Sequence, residues 1–580
     1  MKEANFLRNK FLEFFEKRGH KIVPSSSLIP PDPSVLLTTA GMQQFKPYYL
    51  GEKSPYGKNV ASCQKCFRTS DIEEVGNTTR HLTFFEMLGN FSFGGYFKEE
   101  AIKFAYDFLF EELKLPKEKM LFTIFGGDKE IPEDKESALI WKKLGISENQ
   151  IKKCQRADNF WGPTGKEGPC GPTTEIHFAP NGNLAEGLEI WNLVFNEYFM
   201  DENKKLTPLK QKGVDTGMGL ERLAMVCQEK PSVFETDLFF PIINEIRNWK
   251  LEIGNWKLRE RSERIIADHI KGSVFLIADG VLPSNVEQGY VLRRILRRMM
   301  RYAKLLNLPK TFLIALAQKV IAIYHGAYPE LKSKESEILT VIEKEEERFE
   351  KTLSQGLKNF EKISQSAIKN KTFQISGIEA FHLFDTYGFP LELTEELAKE
   401  KNLKVDSQGF QQCFLKHREI SRAGAEKKFG GVGKDAGYQS AKLHTATHLL
   451  HSALRQVLGE HVKQMGSDIT PERLRFDFSH FQKMTEQEIK KIEDLVNQKI
   501  KEDLVVKREE MSFEEAIKSG ALAFFKEKYP ERVSVYTIDD FSKEICAGPH
   551  VKKTGELGFF QIIKEESLGA GIRRIRAILK

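Results

Sequence analysis

The hydrophobic period of this chain changes twice along its length, and each change limits which segments can share a core. Through about residue 240, Gly, Pro and Phe punctuate short alternating apolar stretches, the texture of a mixed α+β domain. From Trp249 to about Asn370 the spacing becomes helical and dense in Lys, Arg and Glu, as in GYVLRRILRRMMRYAKLL and KSKESEILTVIEKEEERFEKTLSQGLKNFEK. After a mixed stretch holding FHLFDTYGFP, the segment EKKFGGVGKDAGYQS is spaced by Gly and Lys like a linker, and a mixed α/β domain follows. The expected fold is therefore α+β and multidomain, divided as 1–245, 246–430 and 431–580. A length of 580 residues, at roughly 150 per domain, agrees with that division.

Composition excludes several classes. Hydrophobic residues make up 40%, with 43 Phe against 22 Pro, which rules out a disordered or collagen-like chain. A net charge of +6 is small for this size, so any nucleic-acid surface must be local. The mean hydropathy of −0.41 and the lack of any run of about 18 apolar residues argue against a membrane protein. Seven scattered cysteines suit a reducing, cytoplasmic setting better than a disulfide scaffold, and MKEANFLRNKFLEFFEKRGH is too charged for a signal peptide.

The sharpest metal signal is LHTATHLLHSAL, where His444 and His448 stand four apart on one face of a helical pattern. Position 445 is Thr where a zinc protease would carry its glutamate, so metal-assisted proteolysis is disfavoured. ICAGPHV adds Cys546 and His550, completing a borderline-soft donor set suited to Zn²⁺. The histidine pair alone fits helix packing as well as it fits a ligand. Cys63 and Cys66 form a lone CxxC with no second pair and read as buried strand residues, while GGVGK near Gly431 lacks the spacing of a phosphate loop and reads as linker. Arg68, after NVASCQKCF, can grip a phosphate bidentately. In VDTGMGLERL, Asp215, two glycines, Glu221 and Arg222 meet at a strand-to-helix junction that a nucleotide can approach.

Taken together, GHKIVPSSSLIPPDPSVLLTTAGMQQFKP, RHLTFFEMLGNFSFG, NFWGPTGKEGPCGPTTEIH, EIWNLVFNEY, VDTGMGLER, GYVLRRILRR, DTYGFP, HTATHLLHSALRQVLG, RLRFDFSH and CAGPHV resemble, in order, the alanyl-tRNA synthetase family of class II aminoacyl-tRNA synthetases. The resemblance implies an antiparallel-sheet catalytic domain, a helical tRNA-recognition domain and a zinc-binding editing domain. It also implies ATP-dependent activation of L-alanine, with Mg²⁺ accompanying ATP, and transfer to tRNA(Ala). By position, Arg68 and Arg222 match the arginines on ATP, and Ile190, Trp191, Asn192 and Gly219 the other nucleotide contacts. Trp161, Asn192, Val194 and Asp215 match the alanine pocket, with Trp161 also beside the nucleotide.

A cavity sized for a methyl group discriminates by only about 1–3 kcal/mol per methylene and rejects an added hydroxyl weakly, so mischarging with serine and glycine is expected. The family's remedy is hydrolysis in the zinc domain, where His444, His448, Cys546 and His550 match one zinc site, and Gln464 and Cys546 match editing residues. Arg293, Arg294, Arg297, Arg298, Arg301 and Lys304 recur at helical spacing as a cationic face for tRNA phosphates. Asp385 matches the reader of the acceptor-stem G·U pair, and Lys304 stands where the family usually has Asn. Other departures are His81-Leu82 in place of two histidines and CAGPH in place of CGGTH. The chain ends just past the editing domain, from which a monomer is expected.

Overall fold

The computed structural model describes residues 2–32, 35–163, 165–249, 255–310, 312–426, 437–480, 482–523, 530–569 and 572–580, with backbone only at 418–426 and 567–569. The expected GGVGK linker segment lies outside the described residues. The chain divides into two compact units, Met1–Glu350 and Lys351–Lys580, each treated by itself. The division falls within the long helix Glu335–Lys369.

The first unit is built on a nine-stranded sheet: β1 (Lys21–Ile22), β2 (Asn59–Phe67), β3 (Phe84–Phe93), β4 (Met120–Phe125), β5 (Ile151–Cys154), β6 (Phe160–Trp161), β7 (Gly168–Phe178), β8 (Leu188–Met200) and β9 (Leu206–Gly219). Their order is β1-β2-β3-β9-β8-β7-β4-β5, with β6 paired to β7. Only β1–β2 and β4–β5 are parallel, so the sheet is mostly antiparallel, as expected. β3 is buried along nearly its whole length because both faces are covered, which is why FFEMLGNFSF reads as continuous apolar sequence instead of alternating. On one face, helix Ala4–Glu16 buries Leu7, Phe11, Phe14 and Phe15 at helical spacing, and Phe11 and Phe108 pack against Trp191. Fully burying each such ring contributes about 1.5–3 kcal/mol. β9 runs straight into helix Leu220–Cys227, setting the VDTGMGLER segment at a strand-to-helix junction.

Helices Trp256–Ala278 and Glu287–Leu305 follow, the first buried over most of its length from Ser262 onward. In the second unit, helix Gly377–Tyr387 opens on a capping box of Ser376 and Glu379 and stops at Gly388, whose φ of +73° is the left-handed conformation that glycine adopts without strain. The short strands β10 (Gln374–Ile375) and β11 (Lys404–Val405) pair in parallel. Beyond helix Tyr438–Leu458 come β12 (Gln464–Thr470), β13 (Arg473–Ser479), β14 (Val506–Ser512), β15 (Arg532–Ile538), β16 (Ser542–Ile545), β17 (Phe560–Gly569) and β18 (Ile572–Leu579). They form two antiparallel sheets, β12-β13-β18-β17 and β14-β15-β16. One core joins Leu443, Leu449 and Leu450 of the helix to Phe476, Phe478 and Ile575 of the sheet and to Ile492 and Val496 of helix Glu486–Lys501. Among the described residues no helix is long and apolar enough to cross a membrane.

Candidate nucleotide cleft and metal centre

Arg68 and Arg222, 154 positions apart in the chain, line one cleft together with Phe85, Glu189, Ile190 and Gly219. Arg68 leaves the end of β2, donates from Nε to the Thr39 carbonyl at 3.3 Å, and holds its guanidinium 5.0 Å from the Phe85 ring centre. Arg222, in the first turn after β9, donates from Nη1 to both the carbonyl oxygen and the carboxylate of Glu189, each at 3.0 Å. Gly217 also lines the cleft, and a Cβ there would come within 2.9 Å of the Met87 sulfur, so a glycine lets strand and ligand approach closely.

Strand alternation places Asp215 on the same face of β9 as Gly217 and Gly219, two residues beyond the cleft lining. Asp215 pairs across the sheet with Phe91 on β3 and Val194 on β8. It is buried, and burial pushes its carboxyl up to about 7. Trp161 packs against a cluster that includes Met42, Phe45, Met87 and Phe91, which brings it to the same neighbourhood. Asn192 lies opposite Gly217, and its Nδ2 donates to Glu175 at 3.0 Å, while the other Glu175 oxygen is 3.0 Å from His177 Nε2. Glu175, His177 and Glu189 escaped the sequence reading, which has no cross-strand register with which to pair them.

Two sequence expectations are corrected. Trp191 is fully buried against Phe11 and Phe108, because alternation on β8 turns its side chain toward the helix, and it is not part of the cleft lining. The cationic face is not a face: Arg293, Arg297, Arg298 and Arg301 are all less than a tenth exposed. Arg297 donates from Nε and Nη2 to Glu345, Arg293 approaches the same carboxylate, and Arg298 donates to the Ile72 carbonyl. Arg294 pairs with Glu73. Lys304 and Asp385 remain exposed.

A buried ionic cluster begins at the cleft wall, where Glu221 is part of the lining. Arg8 holds Glu86 bidentately at 2.8 Å, Lys271 reaches Glu221 at 2.6 Å, and the Glu86 backbone N–H donates to the Glu221 carboxylate. Two charges of each sign offset one another, as buried ions require.

In the second unit, His444 and His448 from helix Tyr438–Leu458 converge with Cys546 and His550 from the loop after β16, their donor atoms all within 4.8 Å of one another. Cys546 Sγ is 3.3 Å from His444 Nε2. Zinc–nitrogen bonds of about 2.0–2.1 Å and a zinc–sulfur bond of about 2.3 Å demand comparable separations, so the residues fit that ion. The tautomer of His550 fits as well. The Thr445 hydroxyl donates to the Ala441 carbonyl, so it accepts from His550 Nδ1 at 3.2 Å, leaving Nε2 as a buried lone pair without a protein partner among the described residues. Burial lowers His444 to about 4, His448 to about 3 and His550 to about 2, which keeps the imidazoles neutral, and pushes the Cys546 thiol up to about 11. Gly548 lies flat on the His444 ring, where a Cβ would overlap Cε1 and Nδ1. Gln464 is half-buried at a bulge opening β12, its Nε2 donating to Ser467. Cys63 and Cys66 are buried on β2, as the sequence suggested, and being three residues apart they lie on opposite faces.

The family described as tRNA synthetases class II (A) matches residues 6–465, and the Threonyl and Alanyl tRNA synthetase second additional domain matches residues 533–576. The chain is 50% identical to the alanine–tRNA ligase of Borrelia hermsii over 591 residues, covering 99% of each protein. It is 49% identical to that of Treponema denticola, covering 99% of this chain and 98% of that one. It is 41% identical to that of Thermotoga maritima, covering 99% of this chain and 80% of that one. The chain belongs to the alanine–tRNA ligase family of class II aminoacyl-tRNA synthetases.

Proposed function

We propose that the first unit joins L-alanine to AMP from ATP and passes it to the 3′ end of tRNA(Ala), and that the second unit hydrolyses Ser-tRNA(Ala) and Gly-tRNA(Ala). The observation that carries this reading is the convergence of Arg68 and Arg222 on one cleft, with Asp215 on the face of the strand whose glycines line it. Asp215 takes the alanine ammonium, with Val194, Asn192 and Trp161 closing around the methyl group. The alanine carboxylate attacks the α-phosphorus, forming the acyl–phosphate bond and releasing pyrophosphate. Arg68, Arg222 and the Mg²⁺ that accompanies ATP spread the charge that develops on phosphate, so the chain supplies positioning and electrostatics and no nucleophile. Exposed Lys304 and Asp385 are the acceptor-stem residues in this scheme.

His444, His448, Cys546 and His550 are proposed to hold one Zn²⁺, which when bound orients the aminoacylated tRNA end or activates water. Gln464 contributes a polar contact there. The test is alanine-dependent exchange of pyrophosphate into ATP without tRNA. Exchange that Asp215→Ala abolishes while Ser-tRNA(Ala) deacylation persists supports two separate sites. A folded chain with no exchange but active deacylation would reduce the protein to an editing hydrolase.

A further inference from the structure

Glu544, on β16 two residues before the metal-site cysteine, is almost fully buried beneath the metal helix. One carboxylate oxygen, Oε1, lies 2.9 Å from Nδ1 of His451, the third histidine of HTATHLLH, and the other, Oε2, lies 3.6 Å from Nδ1 of His448. Among the described residues His448 Nδ1 is buried with no protein hydrogen-bond partner, and it faces Oε2 of Glu544. A carboxylate only accepts hydrogen bonds, so the tautomer that suits this arrangement carries hydrogen on His448 Nδ1 and leaves the lone pair on Nε2, free for a metal. His451 is three residues on from His448, on the same helical face, and anchors the carboxylate from one turn away.

We propose that Glu544 is a positioning residue for the metal centre. It fixes the tautomer and ring orientation of His448 and is itself held by His451, so that metal affinity depends on a residue that does not touch the metal. The proposal rests on the zinc reading above. The Cys546–His444 and His550–Thr445 contacts are made by other residues, so the Glu544 contribution can be separated from theirs.

The experiment uses the full chain, with zinc per chain measured and affinity read by competition with a chromogenic chelator, for the wild type, Glu544→Gln and Cys546→Ala. The wild type should hold one zinc. Glu544→Gln keeps the shape but loses the charge and should weaken affinity about tenfold to a hundredfold. With Co²⁺ in place of zinc, its ligand-field bands should move while the thiolate-to-cobalt band stays, a signature that general unfolding would erase in both bands. Wild-type affinity and an unchanged cobalt spectrum in Glu544→Gln would overturn the proposal. A wild-type chain that takes up neither metal would overturn the zinc reading itself, and the proposal with it.

Discussion

Arg297 clamps a single oxygen of Glu345 from two nitrogens, at 2.8 and 2.6 Å, with both side chains sealed from solvent. Removing one partner of a buried pair leaves an uncompensated charge, a cost of about 3–5 kcal/mol. Glu345→Ala should therefore lower the melting temperature of the chain markedly. Arg297→Ala should do the same without reducing the salt dependence of tRNA binding, since that guanidinium is buried and held by Glu345. A normal melting curve with a shallower salt slope would return Arg297 to the tRNA surface.

Asp215 gives the synthetic site a pH profile. Its carboxyl titrates at about 7, and only the ionised form attracts an alanine ammonium. The kcat/KM for alanine in pyrophosphate exchange should rise about tenfold per pH unit below that value and level off above it, while Asp215→Asn should be low and flat. The sign for stability is opposite. Between roughly pH 4 and 7 the folded chain holds a proton that the unfolded chain has lost, so this residue's contribution falls as pH rises through that window. Bound alanine should offset the fall, which melting curves with and without alanine would register.

On the proposed reading, Arg222 gives up its contacts with Glu189 or shares them when nucleotide enters. Charge-assisted hydrogen bonds contribute about 1.5–3 kcal/mol, so Arg222→Ala should cut kcat/KM for ATP roughly ten- to a hundredfold. A change of less than twofold in steady-state exchange would remove Arg222 from the nucleotide site.

At Gly548 a single methyl group is enough to displace the His444 ring. Gly548→Ala should therefore lose zinc, whereas Ala547→Gly, one residue earlier, should retain it. Metal analysis of the two purified variants decides the point.

Cys546→Ala separates the two chemistries. It should lower zinc content and deacylation of Ser-tRNA(Ala) by at least tenfold and leave alanine activation at the wild-type rate. Unchanged metal stoichiometry would strike the cysteine from the ligand set.

Which parts of this molecule were legible in the sequence follows from the range of the interactions. His444 and His448 were legible because helical spacing is local, and Arg68 and Arg222 because each sits in a run whose order resembles a known family. The burial of Arg293, Arg297, Arg298 and Arg301 was not, because a period shows which residues share a face but not what covers it. Here the cover includes Glu345, 48 residues from Arg297. Trp191 lies off the cleft lining for a related reason: Asn192 pairs with Gly217 of the cleft wall, and alternation sends the Trp191 side chain to the opposite face. Glu175, Thr445 and Glu544 act only through cross-strand register or loop closure, neither of which a linear reading contains.

The buried cluster of Arg8, Glu86, Glu221 and Lys271 bears on how this protein can be cut. Lys271 belongs to helix Trp256–Ala278, past the boundary at residue 245 that the change of period suggested. A fragment trimmed at that boundary would strand the Glu221 carboxylate in a dry interior without its cation, one position from Arg222. The smallest autonomous piece able to make an adenylate must therefore carry that helix with it, however strongly the pattern of residues invites a break before it.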